Sequence, residues 1–350
     1  MGFPVEAGTA GNRHGRRRRF AAWAVLCVGL ALLLGYAFDQ LRTAQPEAMV
    51  ERLTIAVPSA PHAALLHLAT ANHYFAEEGL EVTVVPTSYG KVALDMLAQG
   101  KVNLAAGAEL PFVIKVMNGR DFAVVATISS ATSEMAVIAR RDRNIRQADD
   151  LTGKKIGVTL GTSAEYFLAA FLTRHRMAPD SVTMVDSPPD GLVQGLAAGN
   201  TDAIVAWQPV RSRALQALGP DGTALIEPNV YTATYIVAGQ SNYVQQHPQI
   251  IEKLLRALLK SEQFLRNDPQ QALQLVAQQT HVDASFLKPG WDDQIFRVDL
   301  LQSQLVTMED QARWAASRSY APEARMPDFL QRMQLDALVA VRPERVTVVH

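Results

Sequence analysis

The side chains best suited to hold a small polar molecule fall at turns between strand-like and helix-like runs. The clearest is KIGVTLGTSAEYFLAAFL, Lys155 to Leu172, where a β-branched run meets Gly161 and Thr162-Ser163 then opens a helix. The first amides of a helix lack intrahelical partners and carry the positive end of its dipole, so they suit a ligand oxygen, above all an anionic one. The two hydroxyls would add donors beside them. Thr162-Ser163-Ala164-Glu165 also spells a capping box, in which Thr162 accepts from a helical amide and Glu165 reaches back. Glu165 would then set negative charge against an anion, so both roles coexist only if some of the free amides face a cleft. Trp207-Gln208-Pro209 follows a strand. Its indole is core or cleft wall, Gln208 can donate or accept, and Pro209 suits a first helical turn. Comparable turns hold Ser59 with His62, Ser88-Tyr89-Gly90, and Glu109 ahead of Leu110-Pro111, while Ser130 ends a strand. Glu109 is either a solvated acid at a helix start or a partner for a ligand amine or hydroxyl.

No catalytic set emerges from these residues. His62, His67 and His73 are five and six residues apart, not the three or four that place two ligands on one helix face. Neither a nucleophile-elbow motif nor a phosphate-cradling loop with its lysine is present. Only Glu109 with His62 offers a titratable pair for an enzyme. Cys27 is the single cysteine, so no intrachain disulfide or thiolate metal site forms, and no cofactor is expected. The 350 residues carry 33 Lys and Arg against 34 Asp and Glu, and residues 51–350 alone hold 27 against 31. Nothing in that balance suggests nucleic-acid binding.

The elements that must position these turns alternate. After a polar linker with Pro46, strand-like runs at 53–58, 80–86, 102–107 and 122–129 are separated by helical patterns at 62–79, 91–100 and 110–119. A strand at 134–140 leads into a polar stretch, and the rhythm then restarts with strands at 155–160, 182–186 and 201–206 and helices at 163–176, 190–199 and 209–219. Further strands are expected at 223–227 and 232–239, and a largely helical tail after Ser241. Two tandem α/β halves with parallel-rich sheets follow from this order, and ligands of such folds lie beyond the carboxyl ends of the strands.

Ahead of these halves, Arg16-Arg17-Arg18-Arg19 precedes an uncharged apolar run at residues 20–38. Arginines before such a run read as an export signal, of general or twin-arginine type, or as a single anchor, with the remainder sent across the membrane. Gly35-Tyr36-Ala37 offers a cleavage site; if it is not used, residues 20–38 tether the protein to the membrane.

Several segments, in order, resemble the nitrate/sulfonate/taurine type of periplasmic solute-binding protein of ABC importers. They are HAALLHLATANHYFAEEGLEVTVV, LAQGKVNLAAGAELPFVIKVMNG, IRQADDLTGKKIGVTLGTSAEYFLAAFL and LAAGNTDAIVAWQP, over roughly residues 52–240. The resemblance implies a two-lobed periplasmic-binding-protein fold closing on a ligand. Lobe one would be 51–135 plus 240–350 and lobe two 136–239, with crossings near 130–136 and 236–241, after a signal or anchor segment at 1–50. It implies a periplasmic receptor for a small, oxyanion-bearing solute that serves ABC permease subunits. A membrane-anchored sensor domain or an enzyme on the same fold is the alternative.

Overall fold

The computed structural model describes residues 51–321 and 325–349, together with Gly2. The expected export segment, linker and cleavage site therefore lie outside the described residues. Apart from Gly2, the described residues belong to one unit, Val50–His350.

Two sheets organise it. In the first, β1 (Glu51–Pro58) pairs in parallel with β2 (Leu80–Thr87) and with β3 (Leu104–Ala108). Beyond β3 lie β10 (Ala233–Gln240), β4 (Phe122–Ala131) and β11 (Ile295–Asp299), each antiparallel to its neighbour, in the order β11-β4-β10-β3-β1-β2. In the second, β6 (Lys155–Val158) is parallel to β7 (Thr183–Asp186) and β8 (Ala203–Ala206), while β5 (Ala136–Arg140) runs antiparallel between β8 and β9 (Gly222–Leu225). Helices join the parallel strands, and an inner one is buried accordingly: β8 reads Ala-Ile-Val-Ala with every residue covered.

The chain crosses between sheets twice, at 132–135 from β4 to β5 and at 226–232 from β9 to β10. The run 232–239, expected to close lobe two, is β10 and pairs within the first sheet, so the second crossing precedes it. An apolar run such as TYIVAG shows that a strand is buried but not which sheet buries it. The helical tail also contains β11, a five-residue edge strand that the sequence pattern did not reveal. Its helices, chiefly Pro248–Asn267 and Gln302–Ser317, pack on the first sheet's side, the latter against the helix Glu109–Met117.

Candidate functional site

Between the two sheets lies a small cavity of about 30 Å³. His62, Tyr89, Gly90, Lys91, Ala108, Pro111 and Tyr235 line it from the first sheet's side, Thr162, Ser163 and Trp207 from the second's, and Met135 from the crossing. Sheet order explains the meeting: the turns after β1, β2, β3, β6 and β8 all stand at the carboxyl ends of parallel strands.

The Thr162 turn is built as the sequence indicates, with one change. Gly161 takes φ +67°, a left-handed conformation that favours glycine, and turns β6 into the helix Ser163–Arg174. Thr162 Oγ1 donates to the Thr159 carbonyl at 2.6 Å and accepts from the Ala164 amide at 3.3 Å. Glu165 reaches back one residue further than a capping box does, accepting from the Gly161 amide at 2.8 Å. It also accepts from the Tyr320 hydroxyl, which burial and then this bond push to a higher pKa. The Thr162 hydroxyl is thus committed to the helix. Ser163 Oγ is not: the residue is 2% exposed, lines the cavity, and makes no well-formed hydrogen bond among the described residues.

Facing it, the helix Gly90–Ala98 starts hard against β3. A Cβ on Gly90 would sit 2.6 Å from Gly107 Cα, so only glycine lets this helix N-terminus settle there. Lys91 in its first turn crosses the cleft, its Nζ donating to the Leu160 carbonyl at 2.9 Å. Together with Tyr320 on Glu165, this fastens the two sides of the cavity in a closed arrangement. Tyr89 and Trp207, with ring centroids 6.5 Å apart and tilted at 46°, make an aromatic wall.

His62 sits in the short turn Pro61–Ala63, whose position is fixed by Ser129 Oγ donating to the His62 carbonyl at 2.8 Å. Its ring stacks on Tyr235, centroids 3.7 Å apart and planes within 8°. Its Nδ1 lies 3.6 Å from Glu134 Oε1. Glu134 is 1% exposed, and neither of its carboxylate oxygens, nor either nitrogen of His62, has a well-formed hydrogen bond. The Tyr235 hydroxyl is held well above its usual pKa, by burial first and by the adjacent Glu134 carboxylate next. The crossing segment that carries Glu134 is itself anchored by Arg211, whose Nη1 donates to the carbonyls of Ser133 at 2.8 Å and Glu134 at 3.1 Å.

The structure therefore brings His62, Tyr89, Gly90, Thr162, Ser163 and Trp207 to one cavity and leaves the other expected contacts elsewhere. Glu109 is fully buried but structural: it accepts from Tyr231 Oη at 2.6 Å, the Thr234 amide at 3.0 Å and Gln311 Nε2 at 2.9 Å. Desolvation pushes its pKa up to about 7 against the pull of those donors. It ties the helix Glu109–Met117 to the second crossing, and the acid beside His62 is Glu134. Gln208 is buried with Oε1 accepting from Ser212, its side chain packed so tightly on the helix Ala284–Trp291 that a Cβ on Gly290 would lie 2.6 Å from Gln208 Cγ. Ser130 opens onto a separate polar pocket with Thr127, Arg297 and Asp299. Ser88 is exposed, and Ser59 does not line the cavity. Lys91, Tyr235 and Glu134 are residues that sequence reasoning missed. Lys91 directly follows the flagged Ser88-Tyr89-Gly90, whereas Glu134 reads as the start of a strand.

Two sheets joined by paired crossings, with a cavity at the strand ends between them, define a two-lobed ligand-binding fold. Residues 60–272 match the model of the NMT1/THI5-like family, and the chain belongs to that family. Among curated relatives, a putative binding protein of Brucella abortus is 26% identical over 178 residues, 47% of this chain and 52% of the relative. The chain thus spans about half the length of that relative. The taurine-binding periplasmic protein of Escherichia coli is 22% identical, covering 62% of this chain and 67% of its own. Among solved structures, the alkanesulfonate-binding protein SsuA of Xanthomonas axonopodis pv. citri, bound to MOPS, superposes with a TM-score of 0.72 at 18% identity, over 82% of this chain and 99% of its own. The periplasmic nitrate-binding protein NrtA of Synechocystis PCC 6803 gives 0.69 at 13%, over 84% and 89%.

Proposed function

We propose that this chain is an extracytoplasmic receptor that binds a small oxyanion-bearing solute between its lobes and delivers it to an ABC import permease. The observation that carries it is the cavity itself. Two helix N-termini, at Gly90 and Ser163, converge on it from opposite sheets, beside Lys91 and an aromatic wall. Helix starts supply amide donors and positive potential to an anion's oxygens, while Tyr89 and Trp207 suit a short apolar portion. The space is small, about 30 Å³, which restricts it to a compact solute. Family membership and the sulfonate, taurine and nitrate ligands named for its relatives support this class of solute. Ligand-dependent closure would give the permease its signal, and no catalytic step is needed.

A thermal-shift comparison of ethanesulfonate, taurine and nitrate against the chain from residue 51 tests this. A binder at a hundred times its Kd stabilises by about 2.7 kcal/mol, which raises the melting temperature by several degrees. If none of these solutes raises it at millimolar concentration, the oxyanion class is wrong.

A further inference from the structure

The pair His62–Glu134 is unexplained by a static receptor. Both side chains are buried, at 3% and 1% exposure, and both are titratable. Their nearest approach, 3.6 Å, is long for a hydrogen bond, and all four polar atoms are left without well-formed partners. A buried ionised carboxylate needs a cation or strong donors around it. The donors in contact are the Tyr235 hydroxyl and the His62 ring. Of the pair, His62 lines the ligand cavity and Glu134 does not, so the imidazole, stacked on Tyr235, stands between Glu134 and whatever occupies that cavity.

We propose that His62 is the cavity's switchable anion donor: it takes up a proton as a monoanionic ligand binds, with Glu134 as the buried counter-charge. This rests on the oxyanion reading above. The other charges point the same way. Lys91 supplies one positive charge at the wall. Glu165 supplies a negative one behind the Thr162 turn. The Arg211 guanidinium, which holds the Glu134 carbonyl, interacts with two carboxylates, Asp293 and Glu134 itself, so its single charge is divided between them. His67, the other imidazole near His62, is pushed down to about 4 by burial and stays neutral at working pH, its Nε2 hydrogen-bonded to the Pro58 carbonyl at 3.0 Å. Tyr235 stays neutral as well, and beyond it Glu109 and Tyr231 form their own bonded pair. A monoanion entering beside Glu134 and Glu165 then outweighs Lys91, and one proton on His62 narrows the imbalance. Protonation also settles the bonding: Nδ1–H is directed at Glu134, and Nε2–H is free to donate to a ligand oxygen. A zwitterion brings its own positive charge and gains less from the protonated ring, so the pair would select simple sulfonates or nitrate over aminosulfonates.

The test is titration calorimetry of the chain from residue 51 with ethanesulfonate, nitrate and taurine at pH 6.0, 7.0 and 8.0, each in buffers of differing ionisation enthalpy. The expected result is net proton uptake approaching one per ethanesulfonate or nitrate bound. Affinity should fall by up to about tenfold per pH unit on the alkaline side. His62→Gln, which keeps a neutral donor, should bind more weakly at pH 6.0 and lose both the slope and the uptake. Glu134→Gln should move the slope to lower pH. Glu109→Gln should keep the slope, because the Glu109 carboxylate is bonded to Tyr231 of the second crossing and does not line the cavity. Binding of equal affinity at pH 6.0 and 8.0 without buffer dependence overturns the coupling and leaves the receptor intact. A slope that survives His62→Gln but is lost in Glu109→Gln overturns the assignment to His62. Binding of neither ethanesulfonate nor nitrate at any pH overturns the oxyanion reading, and the coupling with it.

Discussion

Thr162 and Ser163 are neighbours with the same functional group and opposite commitments. The Thr162 hydroxyl spends its donor on the Thr159 carbonyl and accepts from the Ala164 amide, so it stabilises the turn and the helix start. Ser163 Oγ is buried at the cavity wall with no such bond, although it lies close enough to Tyr231 to temper the rise in that hydroxyl's pKa. A buried hydroxyl without a partner is costly, so its presence here favours a partner that arrives with the ligand. Thr162→Ala should cost about 1 kcal/mol of stability and little affinity beyond it. Ser163→Ala should leave the melting temperature nearly unchanged and lose about 0.5–1.5 kcal/mol of ligand binding, more if the acceptor is charged. Melting without ligand and calorimetry with it separate the two. Normal binding by Ser163→Ala would reduce the whole motif to a helix cap. The sequence could offer both roles at this turn but could not divide them, since the division depends on which way each hydroxyl points.

At the scale of elements, Glu109 shows how a residue at a ligand-ready position can serve the frame instead. Its carboxylate joins three pieces of chain: the helix Glu109–Met117 that it opens, the start of β10 through Thr234, and the helix Gln302–Ser317 through Gln311. Tyr231, in the second crossing, closes the group. Desolvation raises the acid to about 7, so the folded protein holds its proton where the unfolded chain has lost it. The sign follows from linkage: this contribution is complete below the unfolded value near 4.3 and is lost as pH rises through about 7. Chemical denaturation of the ligand-free protein should therefore show stability declining between pH 5 and 7.5, by an amount on the order of 3 kcal/mol. Glu109→Gln should flatten that decline; an unaltered slope in the variant would assign it to other groups, such as Asp299, which burial raises to about 6. The alternation of strands and helices was legible in the sequence because each carries its own hydrophobic period. The partner of Glu109 was not. Tyr231 and Gln311 are 122 and 202 residues away, and no local pattern connects them. Glu134 was hidden for a related reason: its local sequence reads as the start of a strand, and only the crossing between sheets sets it against His62. Likewise β10 reads as a strand in any case, but membership of the first sheet is decided by its pairing with β3 and β4.

For the whole molecule, the receptor reading stands or falls on which side of the membrane the two lobes lie. Among the described residues no helix is long and apolar enough to cross a membrane, so that question falls to residues 20–38. Those nineteen residues are uncharged and just long enough to span, and four consecutive arginines precede them. Moving that cluster across a membrane is disfavoured, so the proposed receptor would keep its N-terminus inside and its C-terminal part outside. The described unit suits this destination. Its only demands are two packed sheets and a cavity, its parent sequence has one cysteine, and that cysteine, Cys27, is in the apolar run. It thus needs no disulfide chemistry on arrival. A phosphatase that is active only outside the cytoplasm, fused after His350, should be active on the full chain and inactive when residues 1–50 are removed. Replacing Arg16, Arg17, Arg18 and Arg19 with glutamine should lower that activity by weakening the charge asymmetry that sets orientation. A fluorescent protein that matures only in the cytoplasm, fused at the same place, should report the inverse. If the phosphatase is silent and the fluorescent fusion bright on the full chain, the lobes are cytoplasmic, and the importer and membrane-anchored sensor readings both fall.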